Sequence, residues 1–271
     1  EMLRSLVGSE MCIRDRYATH GLGPVAQALN IHRGDRMKTL VAMDTKSIVG
    51  KSLVEQRTDS VCNNFRNGDH TTTLIRTESG KVIEIQHNVM TPQPYNRLYQ
   101  LTGTKGFANK YPTQGYALSA DQLTASGIQP QVDNLSAHGF MPKAEQDALV
   151  EKYRHPILKK YGEMAKEVGG HGGMDFIMDS RLIYCLQNGL PLDMDVYDLA
   201  EWCCLAELGE LSMDNNCAAV SIPDFTRGEW NIIKGFKHAY ATPEEEASSM
   251  EKAKAFTAKL KEQGAKEWSA E

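Results

Sequence analysis

The residues best suited to chemistry in this chain fall into three short runs. The first is Tyr17-Ala18-Thr19-His20, followed directly by Gly21-Leu22-Gly23-Pro24-Val25-Ala26. Tyr17 and Thr19 supply hydroxyl donors and acceptors, and an imidazole such as that of His20 can serve as acid, base or donor near neutral pH. A helix-like run follows them, so they would stand at a loop-to-helix junction, where backbone amides face a ligand. Spacing alone favours an ordinary helix start over a site. The second run is Gly169-Gly170-His171-Gly172-Gly173-Met174-Asp175-Phe176. Its glycines make a tight bend that admits a close backbone or a substrate, and a packing turn with His171 bonded to a carbonyl is an equal reading. In the third run, Thr91-Pro92-Gln93-Pro94-Tyr95-Asn96-Arg97, two prolines fix an extended approach that presents Tyr95. A core or rim tyrosine is the default there.

Other chemistries find little support. Gly21 to Ala26 is a literal GxGxxA, but a dinucleotide fingerprint needs a buried strand before it and an acidic residue about 20 positions on. Polar residues precede it, and Pro24 removes an amide that would face the phosphate. The histidines, His20, His32, His70, His87, His138, His155 and His171 among them, form no HxxxH or HxH pair, so no metal is expected. GxSxG, a Walker loop and a distinctive carboxylate pair are all absent from the sequence. Six cysteines without CxxC spacing read as buried thiols rather than a disulfide or metal framework.

The elements that must position these runs can be read from composition and period. With 271 residues, 24% charged and 41% hydrophobic, the chain reads as a soluble globular protein with a real core. A net charge of -5 without a clustered basic excess gives no reason to expect nucleic acid. No apolar run reaches the roughly 18 to 20 residues of a membrane span. A helix is expected from Pro24 in its first turn to about Arg33-Gly34-Asp35, with Val25, Ala28 and Leu29 on one face. The RGD triplet reads as a turn. Strands are expected at 38–43, at 71–76 and 82–87 as a hairpin around Ser79-Gly80, and at 97–102 turning at 103–106 into Phe107 and Ala108. Residues 112–142 read as a surface excursion with a short strand at 116–119. Helices follow at 143–168 with a break at Pro156, at 173–188 and at 195–208. Thr242, Pro243 and Glu245 predict a capping box for a tail helix with Met250, Ala253, Phe256 and Leu260 on one stripe. The sum is α+β: an open, mainly antiparallel sheet covered by helices.

Three segments are expected: 1–16, 17–240 as a substrate and oligomerisation domain, and a helical tail at 241–271. The segment EMLRSLVGSEMCIRDR has no strand alternation and no apolar signal core. It resembles a translated sequencing-adaptor stretch, so the native protein is expected to enter at about Tyr17.

Four runs, YATHGLGPVAQALNIHRGDR at 17–36, TPQPYNRLYQLTGTKG at 91–106, GGHGGMDF at 169–176 and PDFTRGEW at 223–230, together resemble glycoside hydrolase family 109. Members are NAD-dependent N-acetylgalactosaminidases of the Gfo/Idh/MocA oxidoreductase superfamily. Ala18 stands where the family has proline, and Asn96 where it has serine. The resemblance implies oxidation of the sugar at carbon 3 by NAD, elimination across carbons 2 and 1, addition of water and re-reduction. That scheme needs no carboxylate pair. It further implies that His20 and Tyr17 are catalytic and touch cofactor and substrate, that Thr19 and Tyr95 also bind the sugar, and that His171 lies near the cleft. It implies an N-terminal Rossmann domain that is missing here and holds most of the NAD, so that this piece alone is expected to be inactive. The implied partners are a glycan ending in N-acetylgalactosamine and further copies of the protein, through the sheet. Relatives are often exported bacterial proteins. A plain NAD(P)-dependent sugar dehydrogenase of the same superfamily and a non-catalytic carbohydrate-binding or assembly domain are the alternatives.

Overall fold

A computed structural model describes residues 18–56, 65–88, 90–125, 127 and 139–264. They group into two compact units, one drawn from Glu1–Ala148 and Val196–Phe236, the other from Leu149–Asp195 and Lys237–Glu271. The expected segment 17–240 thus contributes to both.

The first unit is built on a sheet of four strands, β1 (Met37–Asp44), β2 (Thr71–Thr77), β3 (Val82–His87) and the short β7 (Val220–Ser221), in the order β3-β2-β1-β7. Every pairing is antiparallel. The period of two is plain in β2, where Thr71, Thr73, Ile75 and Thr77 are buried between exposed or half-buried neighbours. Ile75 faces Leu40 on one side and Ile83 on the other, which puts the branched residues of three strands in one layer. Over this face lie α1 (Thr19–Ala28) and α7 (Val196–Asp214), whose Leu22, Ala26 and Leu205 join Leu40, Ile75 and Ile83 in the core. Ser212 docks α7 on β1: its hydroxyl accepts the Ala42 N–H at 3.0 Å and donates to the Ala218 carbonyl at 2.7 Å. The opposite face carries Met43, Leu74 and Val82 as exposed side chains.

The corner between α1 and β1 is held by charge. Arg33 makes a two-pronged bond to Asp198 at 3.0 and 2.8 Å. Asp35, 1% exposed, accepts from the Ser79 N–H at 3.0 Å, from Lys81 Nζ at 2.9 Å and from the Ser79 hydroxyl. The RGD triplet is therefore a turn whose two charged side chains tie it to α7 and to the β2–β3 hairpin. In the same corner burial pushes the Glu201 carboxyl up, while the lowering that burial imposes on His32 is outweighed by its bond to Glu201 together with the Asp198 and Glu201 charges.

Two sequence expectations shift here. Proline sits at the sixth residue of α1 rather than in its first turn, and the helix ends at Ala28, because Asn30 and His32 adopt positive φ. The strands also divide between two sheets. After α2 (Val49–Glu55), β4 (Gln100–Gly103), β5 (Gly106–Asn109) and β6 (Gly115–Leu118) form a separate antiparallel sheet, followed by α3 (Ala120–Ala125) and α4 (Lys143–Tyr153).

The second unit contains α5 (Pro156–Val168), α6 (Met174–Asn188) and α8 (Pro243–Glu262). The expected capping box is present: Thr242 accepts the Glu245 N–H at 3.3 Å, and Glu245 accepts the Thr242 N–H at 2.7 Å. Its expected apolar stripe, however, stays exposed at Met250, Phe256 and Leu260. Arg181 on α6 bonds Asp193 at 2.9 and 2.8 Å and the Ala239 carbonyl at 2.8 Å. Among the described residues the cysteines are unbridged; Cys185 is buried, Cys203 exposed, and Cys204 and Cys217 half-buried. No helix among them is long and apolar enough to cross a membrane.

Candidate functional site

The GxGxxA run lies wholly inside α1 and has a packing role. A Cβ on Gly23 would stand 3.3 Å from the Trp202 ring of α7, and Leu22 and Ala26 are buried on either side. The glycine lets two helices approach closely. A phosphate-binding turn after a strand is a different structure.

At the other end of α1, Ala18 is the N-cap residue and makes no side-chain cap, with Thr19 half-buried and His20 exposed in the first turn. Tyr17 lies outside the described residues. Pro24 occupies the position four residues after His20, where a helix would place the N–H that bonds the His20 carbonyl. Proline has no such hydrogen, and the Tyr99 hydroxyl donates to that carbonyl instead.

Tyr99 ends the connection from β3 to β4, which also carries Tyr95. Asn88 opens this connection by accepting the Thr91 N–H at 3.1 Å, donating to its hydroxyl at 2.7 Å, and offering its own carbonyl to Gln93 at 3.0 Å. Pro92 and Pro94 then restrict the chain, and Tyr95 emerges 70% exposed. The Arg97 guanidinium lies over the Tyr95 ring, 5.7 Å from its centre, and donates to the Tyr95 hydroxyl. Tyr111 meets Tyr95 edge-on with ring centres 6.2 Å apart. Burial pushes the Tyr99 phenol up, only partly offset by Arg97, so this hydroxyl stays protonated and able to donate.

Beneath the start of α1 the inner sheet face becomes polar. Thr71 pairs with His87 across β2 and β3, and both line a small hollow with Ala18, Thr73, Ile85 and Leu205. His87, Arg97 and Tyr99 were not among the sequence-level candidates. The alternation Ile83, Ile85, His87 was the available sign for the first; Arg97 lay within the same run as Tyr95.

The structure thus links Thr19 and His20 to the Tyr95 segment through Tyr99. His171 belongs to the second unit. Gly170, Gly172 and Gly173 there have φ of 72, 70 and 96°, and a Cβ on Gly173 would come within 2.6 Å of the Ala165 carbonyl. These glycines serve a backbone reversal between α5 and α6. His171 is exposed, and its Nδ1 is 2.8 Å from an Asp175 carboxylate oxygen rather than against a carbonyl.

With this geometry in view, the comparisons with known proteins are specific. Residues 11–232 match the family model described as glycosyl hydrolase 109, C-terminal domain. Glycosyl hydrolase family 109 protein 4 of Phocaeicola vulgatus is 85% identical over 257 residues, covering 95% of this chain and 50% of the relative. A glycosyl hydrolase family 109 protein of Porphyromonas gingivalis is 61% identical over 84% of this chain and 48% of its own length. Glycosyl hydrolase family 109 protein 1 of Bacteroides thetaiotaomicron is 59% identical with the same coverage. The chain spans about half the length of the curated relatives it matches. With the family model matched over residues 11–232, well over half of its length, this chain belongs to the glycosyl hydrolase 109 family.

Proposed function

We propose that the chain is the sugar-binding part of an NAD-dependent glycosidase that removes terminal N-acetylgalactosamine from glycans. The observation that carries this reading is the Tyr99 bond, which joins the turn bearing His20 to the segment bearing Tyr95 within a member of a glycosidase family. His20 presents an exposed imidazole, able to hold a sugar hydroxyl and pass its proton during reaction. Tyr17 is proposed to share that work, and Thr19 to bind the sugar from the same turn. Tyr95 offers a largely exposed aromatic ring and a hydroxyl held by Arg97, a surface suited to the apolar side of a pyranose.

The Gly-x-Gly run does not fit a dinucleotide turn, since it lies inside α1 and its Gly23 packs on Trp202. NAD is accordingly proposed to be held mainly by a part of the protein outside this chain, and to supply reversible oxidation at carbon 3 of the sugar when bound. This chain alone is expected to bind NAD weakly and to release no product. The outer sheet face with exposed Met43, Leu74 and Val82 supports self-association through the sheet. Sedimentation of wild type and a Leu74→Lys variant tests this, and an unchanged mass in the variant would remove the sheet from the contact.

The whole protein, assayed on a nitrophenyl N-acetylgalactosaminide, tests the main reading. Nitrophenol released without net NADH is the expected result. A sugar dehydrogenase would instead accumulate NADH with free sugar and release no nitrophenol.

A further inference from the structure

We propose that Tyr99 is a positioning residue of this site, seating the Tyr95-bearing segment on the His20 turn through the carbonyl that Pro24 cannot serve. The inference rests on the glycosidase reading for its kinetic consequence, although not for its structural one.

Three observations converge. Pro24 is inside a ten-residue helix, at the position whose missing N–H would have closed the turn onto His20. The hydroxyl of Tyr99, 79 positions away in sequence, donates to that carbonyl. Leu98, immediately before Tyr99, takes a positive φ of 40°, with its N–H bonded to the Asn96 side chain at 2.7 Å. A branched-chain residue in this region is unfavourable unless the surroundings hold it. The local chain is thus bent so that Tyr99 points at α1 while Tyr95 and Arg97 remain exposed. Arg97 lies among Tyr95, Tyr99 and Tyr111, so a shift at Tyr99 passes to the Tyr95 ring. An ordinary residue at 24 would make the tie redundant: a helical N–H would compete for the same oxygen. Proline inside α1 and a tyrosine at 99 are therefore two halves of one device.

A double-mutant cycle of Tyr99→Phe and Pro24→Ala tests this. Amide hydrogen exchange of the chain as it stands reads the tie without any activity. In Tyr99→Phe, peptides spanning residues 90–99 should exchange at least fivefold faster while the core strands 71–87 keep their protection. Pro24→Ala, which keeps a foldable helix, should loosen the same peptides, and the double variant should equal either single one. Unchanged exchange at 90–99 in Tyr99→Phe, or fully additive effects in the cycle, would overturn the proposal. In the whole protein, Tyr99→Phe should raise KM for the nitrophenyl sugar about tenfold with kcat within about twofold, the scale of one hydrogen bond. A large fall in kcat at constant KM would contradict a positioning role. If the wild-type protein releases no nitrophenol, the glycosidase reading fails while the exchange result still decides the fate of the tie.

Discussion

Replacing Asp35 by Asn should remove a pH-dependent clamp that holds the β2–β3 hairpin to the start of β1. Burial alone would push the Asp35 carboxyl up, but bonds from Ser79 and Lys81 outweigh it and hold the group at about 2, against an ordinary 3.8. Each tenfold change in proton affinity is worth about 1.4 kcal/mol, so the preference of the folded state for the carboxylate contributes roughly 2 to 2.5 kcal/mol at neutral pH. Asn keeps the size but meets the Ser79 and Lys81 donors with only one acceptor and no charge. A loss of about 2 kcal/mol should lower the melting midpoint by roughly 4 to 8 °C for a chain of this size. The sign with pH follows from a lowered value: the contribution is complete above 3.8 and is lost as pH falls toward about 2. Urea unfolding of wild type and Asp35→Asn at pH 7, 5, 3 and 2 provides the assay. Subtracting one from the other cancels the other carboxylates, and the difference should shrink from about 2 kcal/mol toward zero between pH 4 and 2. A difference that stays constant down to pH 2 would refute the reasoning, because it would trace the loss to packing instead of charge.

Gly23→Val should push α1 away from Trp202 and cost about 1 to 3 kcal/mol by overpacking, visible as a lower melting midpoint and a changed indole emission. Arg181→Lys should destabilise the second unit by roughly 2 to 4 kcal/mol, since an ammonium cannot reproduce the fork to Asp193 and the bond to the Ala239 carbonyl; thermal unfolding with proteolysis of residues 149–195 reads this. Alkylation at pH 8 followed by peptide mass mapping should mark exposed Cys203 quickly. Cys204, whose thiol burial pushes up to about 12, should react only after denaturant is added.

Much of the scaffold could be read from local chemistry because local chemistry determines it. The hairpin at 71–87 alternates cleanly around Ser79-Gly80, and Thr242 with Glu245 signals its own helix start. Partnership across the chain was harder to read. β7 is two residues long and pairs with β1 from about 180 positions away, so no period marks it. Nothing in the alternation of 100–118 says that those strands pair only with one another, and the stripe on α8 has the spacing of a buried face while remaining exposed. Tyr17, His20 and Tyr95 stand out in the sequence by residue type and setting, but their roles come only from the motif resemblance. Tyr99 escaped because its role depends on a carbonyl left by a proline far away in sequence, a relation only the folded chain displays.

The central claim is that the exposed imidazole on the first turn of α1 serves a sugar-cleaving site, and turnover of His20→Ala in the whole protein tests it most directly. General acid-base or hydroxyl-holding groups typically contribute 10² to 10⁴ in rate. Nitrophenol release from the N-acetylgalactosaminide should therefore fall about 100-fold or more in a variant that still unfolds cooperatively on heating. Turnover equal to that of wild type would contradict the account.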